Sequence, residues 1–344
     1  MKLQSGSKAV RCMAAATALF LASAASAQSV PDKYFGYFGG DYPPDATNPN
    51  AGAGFVEFKD HINLYSLQNW SGFTTPDARI DNQNRVLARL AQAKAAHVHA
   101  MVPAHPFVFQ AVRDSGSGQI TCWNNDPTAA ASWASLSRAM VDQGYLIPGD
   151  PVRSTVVAIY IVDEPNGGVC LSDTNGQANP SFVNAVNAVR QDPRTASLPI
   201  ASILSRNTDG FEQGAKLLDW VGFDYYPDGG AQWKSDFAHF KASIPGKRYI
   251  IVPGAQDQCD NVEKNDPTVF LDTMNNDPSV VWLAPFMWGS GSPPCKGVRD
   301  LPDLRATYTQ EGSSIRNAQC ARSPADKLFC VGSDISAAIS LLLN

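Results

Sequence analysis

Eight short apolar runs recur along the 344-residue chain, and helical spacing fills most of the gaps between them. The runs are Tyr34–Phe38, His61–Leu67, Val98–Val102, Val156–Val162, Ile200–Leu204, Trp220–Asp224, Tyr249–Val252 and Val281–Met287. Near-continuous apolar strands suit burial on both faces, which is the environment of a parallel sheet covered by helices. Asp126-Pro127, Asn179-Pro180 and Asp266-Pro267 each set an N-cap residue before a proline at the first helical position. The first of these helices carries Trp133, Leu136 and Met140 and stops at Gly144. Asp81–His97 puts Val86, Leu90 and Ala93 on one stripe, and Ala231–Ile244 does the same with Trp233, Phe237 and Phe240. Eight strands alternating with helices predict an α/β fold of the (β/α)8 TIM barrel type. The first crossover, Gly39–Phe55, is rich in Gly, Pro, Asn and Asp and reads as a long loop with at most a short helix. A doubly wound open sheet is the alternative. Against it, no Gly-rich phosphate turn follows any strand.

The ends of the chain and its cysteines bound its setting. Lys2, Lys8 and Arg11 precede the apolar stretch Met13–Ala25, and Ala25-Ser26-Ala27 fits a small-residue cleavage site. Residues 1–27 are therefore expected to be a signal peptide, 28–317 a catalytic-type barrel and 318–344 a C-terminal tail. The expected product is a monomer, secreted or periplasmic, with no membrane association after cleavage. Charged residues make up 17% of the chain, the net charge is −5, and no basic stripe exists to collect phosphates, so nucleic acid is excluded as a partner. Cys12 leaves with the leader. Cys122, Cys170, Cys259, Cys295, Cys320 and Cys330 remain, an even set without CxxC zinc spacing. Loops after strands 3 and 4 are neighbours in a barrel, as are those after strands 7 and 8. That predicts disulfide-braced loops through Cys122–Cys170 and Cys259–Cys295, with Cys320–Cys330 stapling the tail. His97 and His99 fall at the start of strand 3, the wrong end of a barrel for chemistry, so neither a metal nor a cofactor is expected.

The fourth run ends in Ile161-Val162-Asp163-Glu164-Pro165. Proline cannot continue the ladder, so both acids sit at the carboxyl end of their strand, where barrels bind ligands. An acid beside an apolar wall has its pKa raised, as a general acid requires. Other residues expected at that rim are Gln68, Asn69 and Trp70 after strand 2 and His105 after strand 3. Asp224-Tyr225-Tyr226-Pro227 follows strand 6, Gln256 and Asp257 strand 7, and Trp288 strand 8. Carboxyls, amides and flat aromatics without a cationic cluster suit sugars, whose rings stack and whose hydroxyls seek acids and amides. Glycosidic hydrolysis needs two carboxyl groups, about 5–5.5 Å apart for retention and about 6.5–9.5 Å for inversion. Each residue also has a structural reading. The acids can cap turns, Trp288 and Tyr226 can be barrel-end core, and His105 can be a hydrogen-bonded loop histidine. Asn69-Trp70-Ser71 matches a glycosylation sequon, a pattern frequent by chance.

The barrel plan, Asp-Glu-Pro after strand 4, Asp-Tyr-Tyr-Pro after strand 6 and Trp after strand 8 resemble clan A glycoside hydrolases over residues 34–290. The resemblance implies that Glu164 is the general acid, that Tyr226 hydrogen-bonds in the site and that Trp288 floors a sugar subsite. Asp163 stands where that clan has Asn. The clan's nucleophile is a Glu ending strand 7, whereas this chain has Ile251-Val252-Pro253-Gly254-Ala255-Gln256. A glutamine is neither nucleophile nor base, so Asp224, Asp257 or Asp163 must supply the second carboxylate, or hydrolysis is lost. The acid after strand 4 with Asp-Tyr after strand 6 is also similar to chitinase-like barrels, in which the substrate's acetamido group attacks. The spaced aspartates of that group are absent. The expectation is a glycoside hydrolase acting on an oligo- or polysaccharide. Glu164 and Asp224 are catalytic, and Asp163, His105, Tyr226, Gln256, Trp288 and Trp70 bind substrate. A glycan-binding protein that lost hydrolysis through Gln256 is one alternative. A metal-dependent hydrolase is another, requiring three converging His or acid side chains.

Overall fold

A computed structural model describes residues 33–40, 54–67, 76–113, 120–165, 171–172, 175–205, 210–226, 231–259, 264–291 and 293–331. Every one of the eight apolar runs contributes a strand: β1 (Tyr34–Phe35), β2 (Leu64–Ser66), β3 (His99–Pro103), β6 (Val156–Tyr160), β7 (Ile200–Leu204), β8 (Trp220–Tyr225), β9 (Arg248–Pro253) and β10 (Val280–Leu283). They form one sheet in the order β1-β10-β9-β8-β7-β6-β3-β2, and every neighbouring pair is parallel. The ring is nearly closed: β1 and β2 share no ladder and meet through Asn63, by its side chain and one backbone bond. The Asn63 Oδ1 atom accepts from Phe35 N at 2.7 Å, Asn63 N donates to Phe35 O at 3.1 Å, and Asn63 Nδ2 donates to Lys33 O at 3.0 Å and Gln319 Oε1 at 2.8 Å. Each polar atom of that buried amide is thus used.

Helices α1 (Pro76–Ala95), α3 (Ala129–Asp142), α4 (Pro180–Arg190), α6 (Trp233–Ser243), α7 (Pro267–Asn276) and α8 (Pro302–Arg322) intervene between or follow the strands, with the single turns α2 (His105–Val108) and α5 (Glu212–Ala215). The expected caps form at two sites. Asn179 accepts from Ser181 N at 2.8 Å, and Asp266 from Thr268 N at 2.9 Å. At Asp126 the helix starts later, at Ala129. There the carboxylate takes Thr128 N at 2.8 Å and is ion-paired with Arg79, so it closes a turn ahead of the helix. The expected loop of the first crossover holds a 3-10 turn at Phe55–Glu57.

Two apolar layers follow from strand alternation. Residues such as Phe38, Met101, Tyr160, Ile203, Ile250 and Trp282 fill the barrel interior, while Ile159, Val221, Phe223, Tyr225 and Ile251 pack under the helices. One feature is absent from the sequence reading: an antiparallel hairpin, β4 (Phe109–Arg113) with β5 (Ile120–Asn125), after β3. Cys122 therefore lies in a strand rather than a loop, and its expected partner Cys170 lies outside the described residues. The other two expected disulfides are present, Cys259–Cys295 with Cα atoms 4.4 Å apart and Cys320–Cys330 with Cα atoms 5.7 Å apart. The second ties the last turn of α8 to α9 (Pro324–Val331). The division expected after residue 317 falls inside α8, which continues until Ser323-Pro324 interrupts it. Among the described residues, no helix is long and apolar enough to cross a membrane.

Candidate active site

At the carboxyl end of β6 the chain leaves the sheet through Ile161 and Val162, both fully buried, and turns at Asp163-Glu164-Pro165. Glu164 adopts a left-handed backbone with φ 42°, a conformation that costs a non-glycine residue on the order of 1–2 kcal/mol. Glu164 N donates to Ile203 O on β7 at 2.9 Å, which holds the turn against the neighbouring strand. The Glu164 side chain is exposed and Asp163 is half-buried. Tyr160, an inward residue of β6, donates its hydroxyl to Asp163 Oδ1 at 2.6 Å and receives Ile203 N at 3.4 Å.

Asp224 arrives from β8. Alternation sends Val221, Phe223 and Tyr225 to the helices, leaving Trp220 and Asp224 on the inward face. It is 7% exposed, hydrogen-bonded to Glu164 and to Tyr226, and its Oδ1 has no hydrogen-bond partner among the described residues. Burial first, then the bond to Glu164 and the charges of Asp163 and Glu164, push Asp224 well above the usual carboxylate range. Burial also pushes Asp163 up to about 7, with the Tyr160 hydrogen bond opposing and the Glu164 charge reinforcing the rise. Tyr226 is raised by burial and by Asp224, so it stays a neutral donor. Its ring stacks on Phe286 with centroids 5.3 Å apart, giving the mouth an aromatic surface beside the acids.

The other expected residues divide. Gln256 is buried just past β9, where Gly254 N reaches Tyr225 O at 3.1 Å and Ala255 N reaches Phe286 O at 2.7 Å. His105 is buried in α2, next to Ala104, whose N–H donates to Tyr160 O at 2.8 Å, and burial keeps the imidazole neutral. Trp288 is only 3% exposed and packs against Tyr37, Phe58 and His61, with its indole N–H on Glu57 Oε2 at 2.7 Å. It belongs to an aromatic layer beside the first crossover. Phe286, which the sequence reading passed over, holds the place against Tyr226. Trp70 lies outside the described residues. Asp257 sits on the rim, its backbone paired with Lys296 beside the Cys259–Cys295 bridge. Among the described residues, no three His, Cys, Asp or Glu side chains converge as metal ligands would. His99 is instead buried at the opposite end, bonded to Ser154 O at 2.9 Å.

No family model and no curated protein matches this chain. Among solved structures, one shares its fold at a TM-score above 0.5 and others resemble it less closely. A β-galactosidase from Bacillus circulans sp. alkalophilus superposes with TM-score 0.51 at 11% identity, over 84% of this chain and 56% of its own. A glycoside hydrolase family 5 enzyme from Prevotella bryantii B14 gives TM-score 0.48 at 12% identity over 83% and 96% of the two chains. A mannanase from Bacillus subtilis gives 0.42 at 12% over 75% and 80%. At these identities the likeness is one of fold.

Proposed function

We propose that the chain is a glycoside hydrolase whose general acid is Glu164, acting on an oligo- or polysaccharide. The observation that carries this reading is the exposed Glu164, held on a left-handed turn at the carboxyl end of a parallel barrel beside the buried Asp224. An exposed carboxyl set beside buried ones that are pushed toward neutrality, with an aromatic surface next to them, has what a glycosidic oxygen needs in order to leave. Glu164 is the exposed member and faces substrate, while Asp224 stands buried behind it. The unpartnered Asp224 Oδ1 is a ready acceptor for a substrate hydroxyl or N–H. Asp224 neighbours Glu164 within one cluster rather than facing it across a bound sugar as the second carboxylate of a retaining pair does. Asp224 therefore works on the same side of the bond as Glu164, and Gln256 cannot attack from the other. A 2-acetamido group on the sugar would supply that attack without a protein carboxylate.

The test is reducing-sugar release over a panel of glycans divided at C2 into hydroxyl and acetamido sugars, with Glu164→Gln as control. Hydrolysis by wild type that Glu164→Gln abolishes supports the reading. Full activity in the variant on an unactivated substrate overturns it. Gln256 favours a second reading, a glycan-binding barrel without hydrolysis. Binding without turnover in wild type, with turnover created by Gln256→Glu, would establish that reading. In either case we place the chain outside the cytoplasm as a monomer freed of residues 1–27, where bonds such as Cys259–Cys295 persist.

A further inference from the structure

Tyr160 ties the carboxyl cluster to the apolar interior of the barrel. It is 1% exposed among Phe38, Ile203 and their neighbours, with its ring 5.8 Å from that of Phe38. Phenylalanine would fill the same space, so the hydroxyl serves something other than packing. That hydroxyl stands between two parts of the site. It donates to Asp163 Oδ1 at 2.6 Å and accepts Ile203 N at 3.4 Å, while the carbonyl of the same Ile203 accepts Glu164 N at 2.9 Å. One residue of β7 thus fixes both ends of the turn, and Tyr160 closes the loop between them. A buried donor with two partners is rigid, and a left-handed glutamate needs rigid surroundings to persist.

We propose that Tyr160 is the positioning residue of this site, its hydroxyl holding Asp163 and, through it, the left-handed turn that presents Glu164. The groups facing Asp163 are Tyr160 from β6, Glu164 on the turn and, by charge, Asp224 and Tyr226 after β8. Of these, Tyr160 lowers the Asp163 pKa through its bond, while Glu164 raises it. Loss of the hydroxyl therefore moves Asp163 further up, and a change in packing alone does not.

The experiment follows the Asp163 carboxyl by 13C NMR through a pH titration in wild type and Tyr160→Phe. The midpoint, about 7 in wild type, should rise by about one pH unit. Should Tyr160→Phe fail to fold, 3-fluorotyrosine at position 160 keeps ring and hydroxyl but donates more strongly, and it should move the midpoint down. A midpoint unchanged in the folded variant overturns the proposal. The kinetic arm rests on the hydrolase reading: Tyr160→Phe should lower kcat about tenfold with KM within about twofold, because a misplaced acid costs turnover more than binding. A kcat loss without any displacement of the pH profile also overturns it. If wild type hydrolyses nothing, the hydrolase reading fails while the titration still decides the role of Tyr160.

Discussion

The two ends of the barrel bury titratable groups in opposite ways. At the carboxyl end, Asp163, Asp224 and Tyr226 crowd together, burial drives acids toward neutrality, and one carboxylate oxygen is left without a partner. At the amino end, His99 donates its Nδ1–H to Ser154 O, stacks on Phe329 with rings 4.0 Å apart and 7° from parallel, and meets Tyr34 edge-on. Burial pushes that histidine down to about 4, so it is neutral and spent on packing. A perturbed pKa is therefore no sign of chemistry by itself. Perturbation with an unfilled valence, beside an exposed acid, marks the mouth. Perturbation with contacts on both faces marks the floor.

The largest effect that tests this contrast is at the mouth. Glu164→Gln should lower kcat on unactivated glycans by about 10²–10⁴-fold, and less on substrates with good leaving groups, while the melting temperature stays put. At the floor the readout is stability. His99 has a folded pKa below its unfolded value, so its contribution is present above about pH 6.5 and is lost as pH falls toward 4. Its shift corresponds to about 3 kcal/mol over that window. Urea melts at pH 4.5 and 7 should therefore differ less in His99→Phe than in wild type. Removing the Cys320–Cys330 bridge by Cys320→Ser with Cys330→Ser should cost about 2–3 kcal/mol of stability in urea melts, with kcat unchanged. Asp163→Asn should do the reverse of these floor changes. A raised carboxyl pKa means stability that is full at acid pH and lost as pH rises toward 7. The neutral amide keeps the Tyr160 bond, so the variant should gain about 1–2 kcal/mol at pH 8 in the same urea melts. A loss there would place Asp163 among the structural groups and blur the contrast.

Much of the scaffold was legible because burial on both faces leaves long apolar runs in the chain. The caps at Asn179 and Asp266 were legible for a local reason, since three adjacent residues contain the whole interaction. What escaped is long-range or two-sided. The β4–β5 hairpin lacks an apolar alternation strong enough to distinguish it from a loop. Trp288 and Phe286 lie two residues apart, and aromatics serve area on either side of the sheet, so spacing did not say which one reaches Tyr226. The Glu164–Asp224 contact joins strands that are separated in sequence and could be expected only as convergence. Tyr160 hid inside an aliphatic run. A hydroxyl in an otherwise apolar inward position was the signal.

The Asn63 amide has a consequence for when the molecule can exist at all. It joins the first strand to Gln319, a partner 256 positions away, across the one gap the ladder leaves open. A ribosome that has delivered every strand has still not delivered that partner. The seam itself, made by Asn63 and Phe35 only 28 positions apart, can form early, but the amide that makes it has its last partner only once α8 is delivered. Contacts of such span make closure slow and all-or-none. A chain ended before Gln319 would own every strand and the Asn63–Phe35 bonds, and would leave a buried amide hydrogen without that acceptor.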